Sequence, residues 1–539
     1  MKYLALCLLS CGIILMACQP SSAQTAIKTT LPAGAGNRDE RLVGLLIKSE
    51  STAATIKSIT FNLQGTTNIA DIKTVKLYFS GTSKRFDPAN DQLFAKVRPS
   101  SGNIIIKRDV ILVNGENYIW ITADLKASAR EGNQLGANAL SFTQANGTVV
   151  PIAQADGTRT ILLTHKLLFQ GGDGGSKSYR IPAIVTAADG SLVTATDKRW
   201  EGSDDLPSHI DIVVRRSTDR GRTWSPAATI AGEGTTMGYG DPALVVNKKN
   251  GEIVCLFASD KGWPASTAAA PLRINQSISA DNGVTWSAPA DITSQIYSAT
   301  CPNPVTQLWQ GAFVASGTAA QLRSGRLLAV LAVREPSAKA VSNYVIYSDD
   351  NAKTWQVSTN RASATGDEAK LAELDNGDVL MSIRHSGHRL FNLSHDHGIT
   401  WGNQVDQNDI MDPFCNGDLI RYTALTDGFN KNRLLHSIPF APSRRNVSVL
   451  LSYDEGVTWP INKPIYSGSS AYSALTILDD GTIGMYYEVG EYETYQMYFV
   501  RFSLDWLSDG KDRYAKAQGT RLKAQGSRLK AQTSRYLIL

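Results

Sequence analysis

Five copies of one short motif constrain what this chain can fold into more than anything else in it. The pattern Ser-x-Asp-x-Gly-x-Thr-Trp runs from Ser217 to Trp224, Ser279 to Trp286, Ser394 to Trp401 and Ser452 to Trp459. A fifth copy, Ser348 to Trp355, carries Ala352 in place of glycine. In chain order the copies begin at Ser217, Ser279, Ser348, Ser394 and Ser452, and each interval is long enough for a four-stranded antiparallel unit with its loops. The motif reads as a hairpin turn: Asp caps the turn backbone, Gly takes a positive-φ position and Trp packs between neighbouring units. Ala352 predicts a strained or reshaped turn in its own copy. The boxes are fold elements without chemistry of their own. The region from 161 to 510, about 350 residues at roughly 58 per repeat, predicts a six-bladed β-propeller.

The region upstream, 19–160, predicts a β-sandwich. Ile59, Phe61 and Leu63 alternate with polar neighbours, and 75–79, 103–106 and 118–122 are further short strands between turn-forming residues. Tyr118 and Trp120 share one strand face, as a sugar-stacking platform or as core aromatics, the commoner use of that pattern. The fold class is therefore all-β, a sandwich followed by a propeller. At 539 residues the chain exceeds what one core organises, and 42% hydrophobic with 19% charged residues excludes a mostly disordered chain and a multi-span membrane protein.

Charge and cysteines bear on partners and location. The net charge is +5, but residues 511–539 alone contribute +7, leaving −2 on the rest, so the basic balance argues for no nucleic-acid partner. That segment is a basic low-complexity tail in which Lys516 to Leu522 is echoed by Lys523 to Leu529. Lys2, an apolar run from Leu4 to Ala17 and Cys18 read as a lipoprotein-type export signal over 1–18, with cleavage after Ala23 as the alternative. The expected location is periplasmic or outer-membrane through a lipid on Cys18, alternatively secreted, with no other membrane attachment. Cys255, Cys301 and Cys415 are far apart, so neither a disulfide framework nor a zinc site is indicated.

The five boxes, with Ser178-Tyr179-Arg180-Ile181-Pro182 about one blade ahead of the first, resemble the bacterial exo-α-sialidases (neuraminidases). The resemblance covers roughly 165 to 505 and implies an active site at the central channel of the propeller. Sialic acid carries a carboxylate on its anomeric carbon, and a site for it needs fixed, always-charged, bidentate partners, which means arginine. The family uses three. Arg180 and Arg384 match the first two; Arg444 matches the third, with Arg445 the neighbouring alternative. Most retaining glycosidases use a carboxylate nucleophile, but sialidases use tyrosine, because a second carboxylate would be repelled by the first. A phenol needs a base, since its ordinary pKa is about 10. The resemblance assigns Tyr472 as nucleophile and Glu368, a short way upstream of Arg384, as its base. Asp205, whose spacing from Arg180 and Arg199 matches that of the family, is by the resemblance the expected acid/base, ahead of Asp204. Arg199 and Asp241 match positions that contact the sugar's ring substituents.

Other signals are decoys. Glu373 reads as an exposed strand residue, and Gly171 to Ser178 lacks the Gly-Lys junction and following helix of a phosphate loop. His385, His388, His395 and His397 have no metal spacing, so no metal or cofactor is expected. The predicted function is hydrolysis, with retention, of terminal α-linked sialic acid from glycoproteins, gangliosides and oligosaccharides. The alternatives are a trans-sialidase of the same fold, or a sialic-acid-binding lectin, for which the arginines alone would suffice.

Overall fold

The computed structural model describes residues 24–51, 54–232, 237–336, 340–491 and 494–517. The export segment with Cys18, and the tail from 518 onward, lie outside the described residues. The chain divides into two units. The first comprises Arg38–Asp124, Leu135–Thr158 and the described residues up to Thr29; the second comprises Thr30–Asn37, Leu125–Gln134 and everything from Arg159. Two short excursions from the N-terminal region thus belong to the second unit. Ala33–Gly34 pairs in parallel with Arg159–Leu162, and the Arg159 guanidinium donates to the carbonyls of Leu31 and Pro32 at 2.7 and 2.8 Å.

The first unit is built from a five-stranded and a four-stranded sheet. Period-2 patterning in Thr55–Asn62 buries Ile59 and Phe61 on one face, and that strand pairs with Asn103–Ile111 and Asn138–Gln144. Tyr118 and Trp120 are buried and pack with Tyr78. They are core aromatics, and no stacking platform is formed by them.

The second unit is a succession of antiparallel meanders. Ser178–Thr186, Leu192–Arg199, Ile210–Ser217 and Ala228–Ala231 form the first sheet in simple up-and-down order. The following sheets repeat that order, and Ile461–Ile477, 17 residues long, is shared by two meanders within one seven-stranded sheet. Taking that sheet as two blades, we infer six in the ring. Neighbouring sheets stack face to face through apolar clusters. Ala183, Val193 and Ile212 meet Leu244, Cys255 and Phe257 in one; Tyr179, Ile184 and Val213 meet Ala474, Tyr486 and Phe499 in another. The ring closes where Thr164–Phe169 pairs with Gln496–Phe502, the first strand of the domain against the last. That pairing ties the two ends of the domain together, and the radial repetition leaves only short sheet edges.

The boxes have one geometry throughout. In the first, Asp219 accepts from the Thr223 amide at 2.8 Å and its hydroxyl at 2.6 Å, while the Gly221 amide donates to Ser217 Oγ at 2.9 Å. Gly221 has φ +83°, and a Cβ built there falls 2.0 Å from the Phe499 ring. Phe499 is packed edge-on against Trp224. Gly221→Ala should therefore destabilise the domain by about 2 to 4 kcal/mol, combining overpacking with a left-handed backbone; a fall in Tm of several degrees checks it. The copy with Ala352 keeps its turn: the Ala352 amide still donates to Ser348 Oγ at 2.9 Å, with φ +62°. The turn is strained, as expected of an L residue there, but it is not reshaped.

Candidate active site

Arg180, Asp241 and Tyr472 come from strands whose ladder is interrupted at or beside them, and Asp205, Glu368, Arg384 and Arg444 from the connections between strands. Arg180 pairs with Asp197 and Ala183 with Ala195, so Ile181 and Pro182 together oppose one residue. The same bulge recurs at Asp241-Pro242 and at Ala471-Tyr472. A bulge re-aims side chains at the end of a sheet. The first two contain proline, which has no amide hydrogen to leave unpaired. Ile181 and Asp241 hold φ +64° and +61°. For a β-branched residue such a conformation is costly and persists only when its surroundings enforce it.

Glu488 enforces it. Its carboxylate is fully buried and bonds Arg180 at both oxygens, 3.1 Å each, while also accepting from the amides of Ile181 at 2.9 Å and Tyr472 at 3.0 Å. One side chain thus fixes both bulges and the arginine between them. Sequence reading missed it. The available signal was a lone acid near the end of the apolar strand Ile483–Val489. Burial disfavours the Arg180 cation, and Glu488 more than compensates.

Around Arg180 the sheets assemble a cavity of about 330 Å³ lined by Arg180, Arg384, Arg444, Tyr472, Glu368, Asp367, Asp205 and Asp241, with Leu206, Trp263, Leu272, Phe313 and Val341 as apolar wall. The three arginine guanidinium groups stand 5.1, 5.9 and 5.6 Å from the Tyr472 ring centre. Arg384 lies 4.1 Å over the Phe414 ring, and Arg444 donates to the Phe414 carbonyl at 2.9 Å. Phe414 is a second residue the sequence did not reveal. Arg445 is exposed and absent from the cavity wall, so of the two alternatives the structure brings Arg444 to the site.

Arg384 Nη1 donates to the Tyr472 hydroxyl at 2.9 Å and to Glu368. The same Nη1 thus bridges the phenol and the carboxylate. Burial raises the Tyr472 phenol well above its ordinary pKa, with the Glu368 charge adding to the rise. Burial works to raise Glu368 as well, but Arg384, Lys370 and hydrogen bonds from Tyr472 and Ser316 hold it below the usual carboxylate range. The pair therefore rests with its proton on the phenol and its charge on the carboxylate.

Asp205 sits at the cavity rim with most of its side chain in solvent, 2.8 Å from Arg199. Arg199 is not on the cavity wall. Its side chain is 2% exposed and its donors are taken by Asp197 at 2.9 Å, Asp205 and the Ser203 carbonyl. It braces Asp205, where sequence reading gave it a sugar contact. Asp197 also accepts from the Asp241 amide at 3.0 Å. Burial lifts Asp197 to about 6, and burial with the charges of Asp197, Glu368 and Asp205 lifts Asp241 well above its ordinary value. Asp204 does not line the cavity.

The decoys fall elsewhere. Glu373, expected to be exposed, is half-buried; its carboxylate accepts from the Arg323 amide at 2.7 Å. It lines a larger cavity, about 690 Å³, with Lys248, Lys249, Arg323, Arg421 and Asp427. There Arg323 pairs with Asp427 and Arg421 with Glu455, and none of the site arginines is present. His388 and His395 pair with different carboxylates, Asp406 and Asp378.

Comparison with known proteins finds sialidase relatives for both the sequence and the fold. Residues 198–485 match the BNR repeat-like domain family, and residues 22–148 match the N-terminal domain of BNR-repeat neuraminidase. A sialidase of Micromonospora viridifaciens is 34% identical over 371 residues, covering 64% of this chain and 54% of that protein. A sialidase of Bacteroides fragilis (strain YCH46) is 26% identical over 507 residues, covering 84% and 90%. The chain thus spans about half the length of the first relative and nearly all of the second. The solved structure of the Hadza microbial sialidase Hz136 superposes with a TM-score of 0.70 at 25% identity, covering 90% of this chain and all of that one. With a BNR match across more than half its length, and an arginine-lined cavity built mostly from residues inside that match, the chain belongs to the BNR-repeat exo-α-sialidase family.

Proposed function

We propose that this protein is a retaining exo-α-sialidase that cleaves terminal sialic acid from glycans through a covalent intermediate on Tyr472. The observation that carries the reading is Arg384 Nη1 bridging the Tyr472 hydroxyl and the Glu368 carboxylate inside a cavity that also presents Arg180 and Arg444. A binding protein needs the arginines alone. It has no use for a phenol set beside an ionised carboxylate.

In the first step the three arginines take the sugar carboxylate, and the phenol oxygen attacks the anomeric carbon. Glu368 accepts the phenol proton as the new C–O bond forms. Asp205, at the rim where the aglycone leaves, donates a proton to the departing glycosidic oxygen. In the second step Asp205 takes a proton from water, which displaces Tyr472 from the anomeric carbon, and Glu368 returns the proton to the phenol. Two inversions leave the α configuration.

Proton NMR of the reaction with sialyllactose tests this. The expected first product is free α-sialic acid. First-formed β product would overturn the mechanism, a sialylated acceptor or anhydro sugar would replace hydrolysis by transfer, and no turnover with measurable binding would make the protein a lectin.

A further inference from the structure

The Glu368 carboxylate has a second, deeper set of partners. One oxygen accepts from Ser316 Oγ at 2.8 Å and from Asn416 Nδ2 at 3.1 Å. On its other side the Asn416 amide oxygen accepts from Lys370 Nζ at 2.7 Å. Lys370 is 1% exposed and lies two positions beyond Glu368, at the start of the strand Ala369–Glu373. A primary amide can be turned either way around. A lysine ammonium has donors only, so the oxygen of Asn416 must face it. That leaves the amide nitrogen directed at Glu368 and at the Ser316 carbonyl and hydroxyl, each 3.1 Å away.

We propose that Lys370 is a positioning residue for Glu368: by holding the Asn416 oxygen it turns the Asn416 amide nitrogen onto the carboxylate and keeps that carboxylate an ionised acceptor facing Tyr472. The inference rests on the reading of Glu368 as the base. The charge of Lys370 acts in the same direction as the hydrogen bond it sets. The cost is a buried ammonium, which burial lowers to about 8 although Glu368 and Asp418 oppose the fall. Asp418, buried and bonded to the Leu475 amide at 2.6 Å and the Thr318 hydroxyl at 2.7 Å, is the second anion facing that ammonium.

The other charged groups facing Glu368 are Asp367 beside it, Arg384 on the adjoining strand end, Tyr472 opposite and Asp241 across the cavity. Arg389 and the neutral, buried His436 face Lys370. None of these can set the Asn416 amide, because the partners it has are Lys370, Ser316 and Glu368.

The test is the pH dependence of kcat/KM on a soluble fluorogenic α-sialoside, from about pH 4 to about pH 8. Lys370→Met keeps the stem and removes the charge. It should lower kcat by about 10- to 100-fold with KM within about twofold. The acid limb should move up by about one pH unit, since losing a cation raises the pKa of the carboxylate beside it. Asn416→Leu should shift the limb the same way, and adding Lys370→Met to it should change little further, because the two act as one unit. Lys370→Met with Asp418→Asn leaves no uncompensated buried charge and gives the same readout if the single variant folds poorly. An acid limb at the wild-type position in both Lys370→Met variants, or additive effects of Lys370→Met and Asn416→Leu, would overturn the proposal. Glu368→Gln separates the two readings: a wild-type acid limb surviving in that variant would instead remove Glu368 as the base.

Discussion

Tyr472→Phe should lower kcat by three or more orders of magnitude while leaving the protein folded. The ring is buried against Ile181, Ala471 and Tyr495, and phenylalanine keeps every one of those contacts. The lost oxygen leaves no bare partner, because Arg384 Nη1 remains bonded to Glu368. Stability should therefore change by less than about 1 kcal/mol. Turnover should fall by what a covalent catalyst contributes, while affinity for the sugar stays near wild type because Arg180, Arg384 and Arg444 are intact. A fluorinated sialosyl fluoride should trap the intermediate on the wild-type enzyme, and peptide mass spectrometry should place the added mass on Tyr472. Label on Asp205 or Glu368 would move the nucleophile; a Phe variant with more than about a tenth of wild-type kcat would remove Tyr472 from the chemistry altogether.

The parts of this molecule legible in the sequence are those that local geometry dictates. Each box is a closed local circuit, Ser217 to Asp219 to Thr223 for example, so its residues must stay in register in the chain. The Arg-Ile-Pro element is legible for a related reason: the proline marks a bulge, and the bulge delivers the arginine. The groups that escaped notice act across the ring. Glu488 reaches Arg180 over 308 positions of chain, and Asn416 joins Ser316 and Glu368 from connections between strands that share no motif. In a closed propeller the channel wall is assembled from strand ends of successive sheets, and residues adjacent there are separated in sequence by whole blades.

Arg199 matches a position that contacts the sugar's ring substituents; here its guanidinium has two carboxylates within reach and is absent from the cavity wall. Glu373, read as exposed, is drawn out of solvent by Arg323, a partner from another strand that a single strand's pattern does not reveal.

Arg180→Ala should reduce kcat/KM by about 100- to 1,000-fold, corresponding to loss of a charge-assisted bidentate partner for the sugar carboxylate, on the order of 2 to 4 kcal/mol. The substrate carboxylate is present in ground and transition states alike, so much of the loss should appear in KM. A second consequence is internal. Glu488 is fully buried, and without Arg180 its charge is met only by the Ile181 and Tyr472 amides. An uncompensated buried charge is destabilising, so Arg180→Ala should also lower Tm. Adding Glu488→Gln removes that charge while keeping an acceptor for one of the two amides. The double variant should recover most of the Tm and none of the kcat/KM. Recovery of both would mean that Arg180 serves only to neutralise Glu488 and touches no substrate. Unchanged kcat/KM in the single variant would place the sugar carboxylate on Arg384 and Arg444 alone.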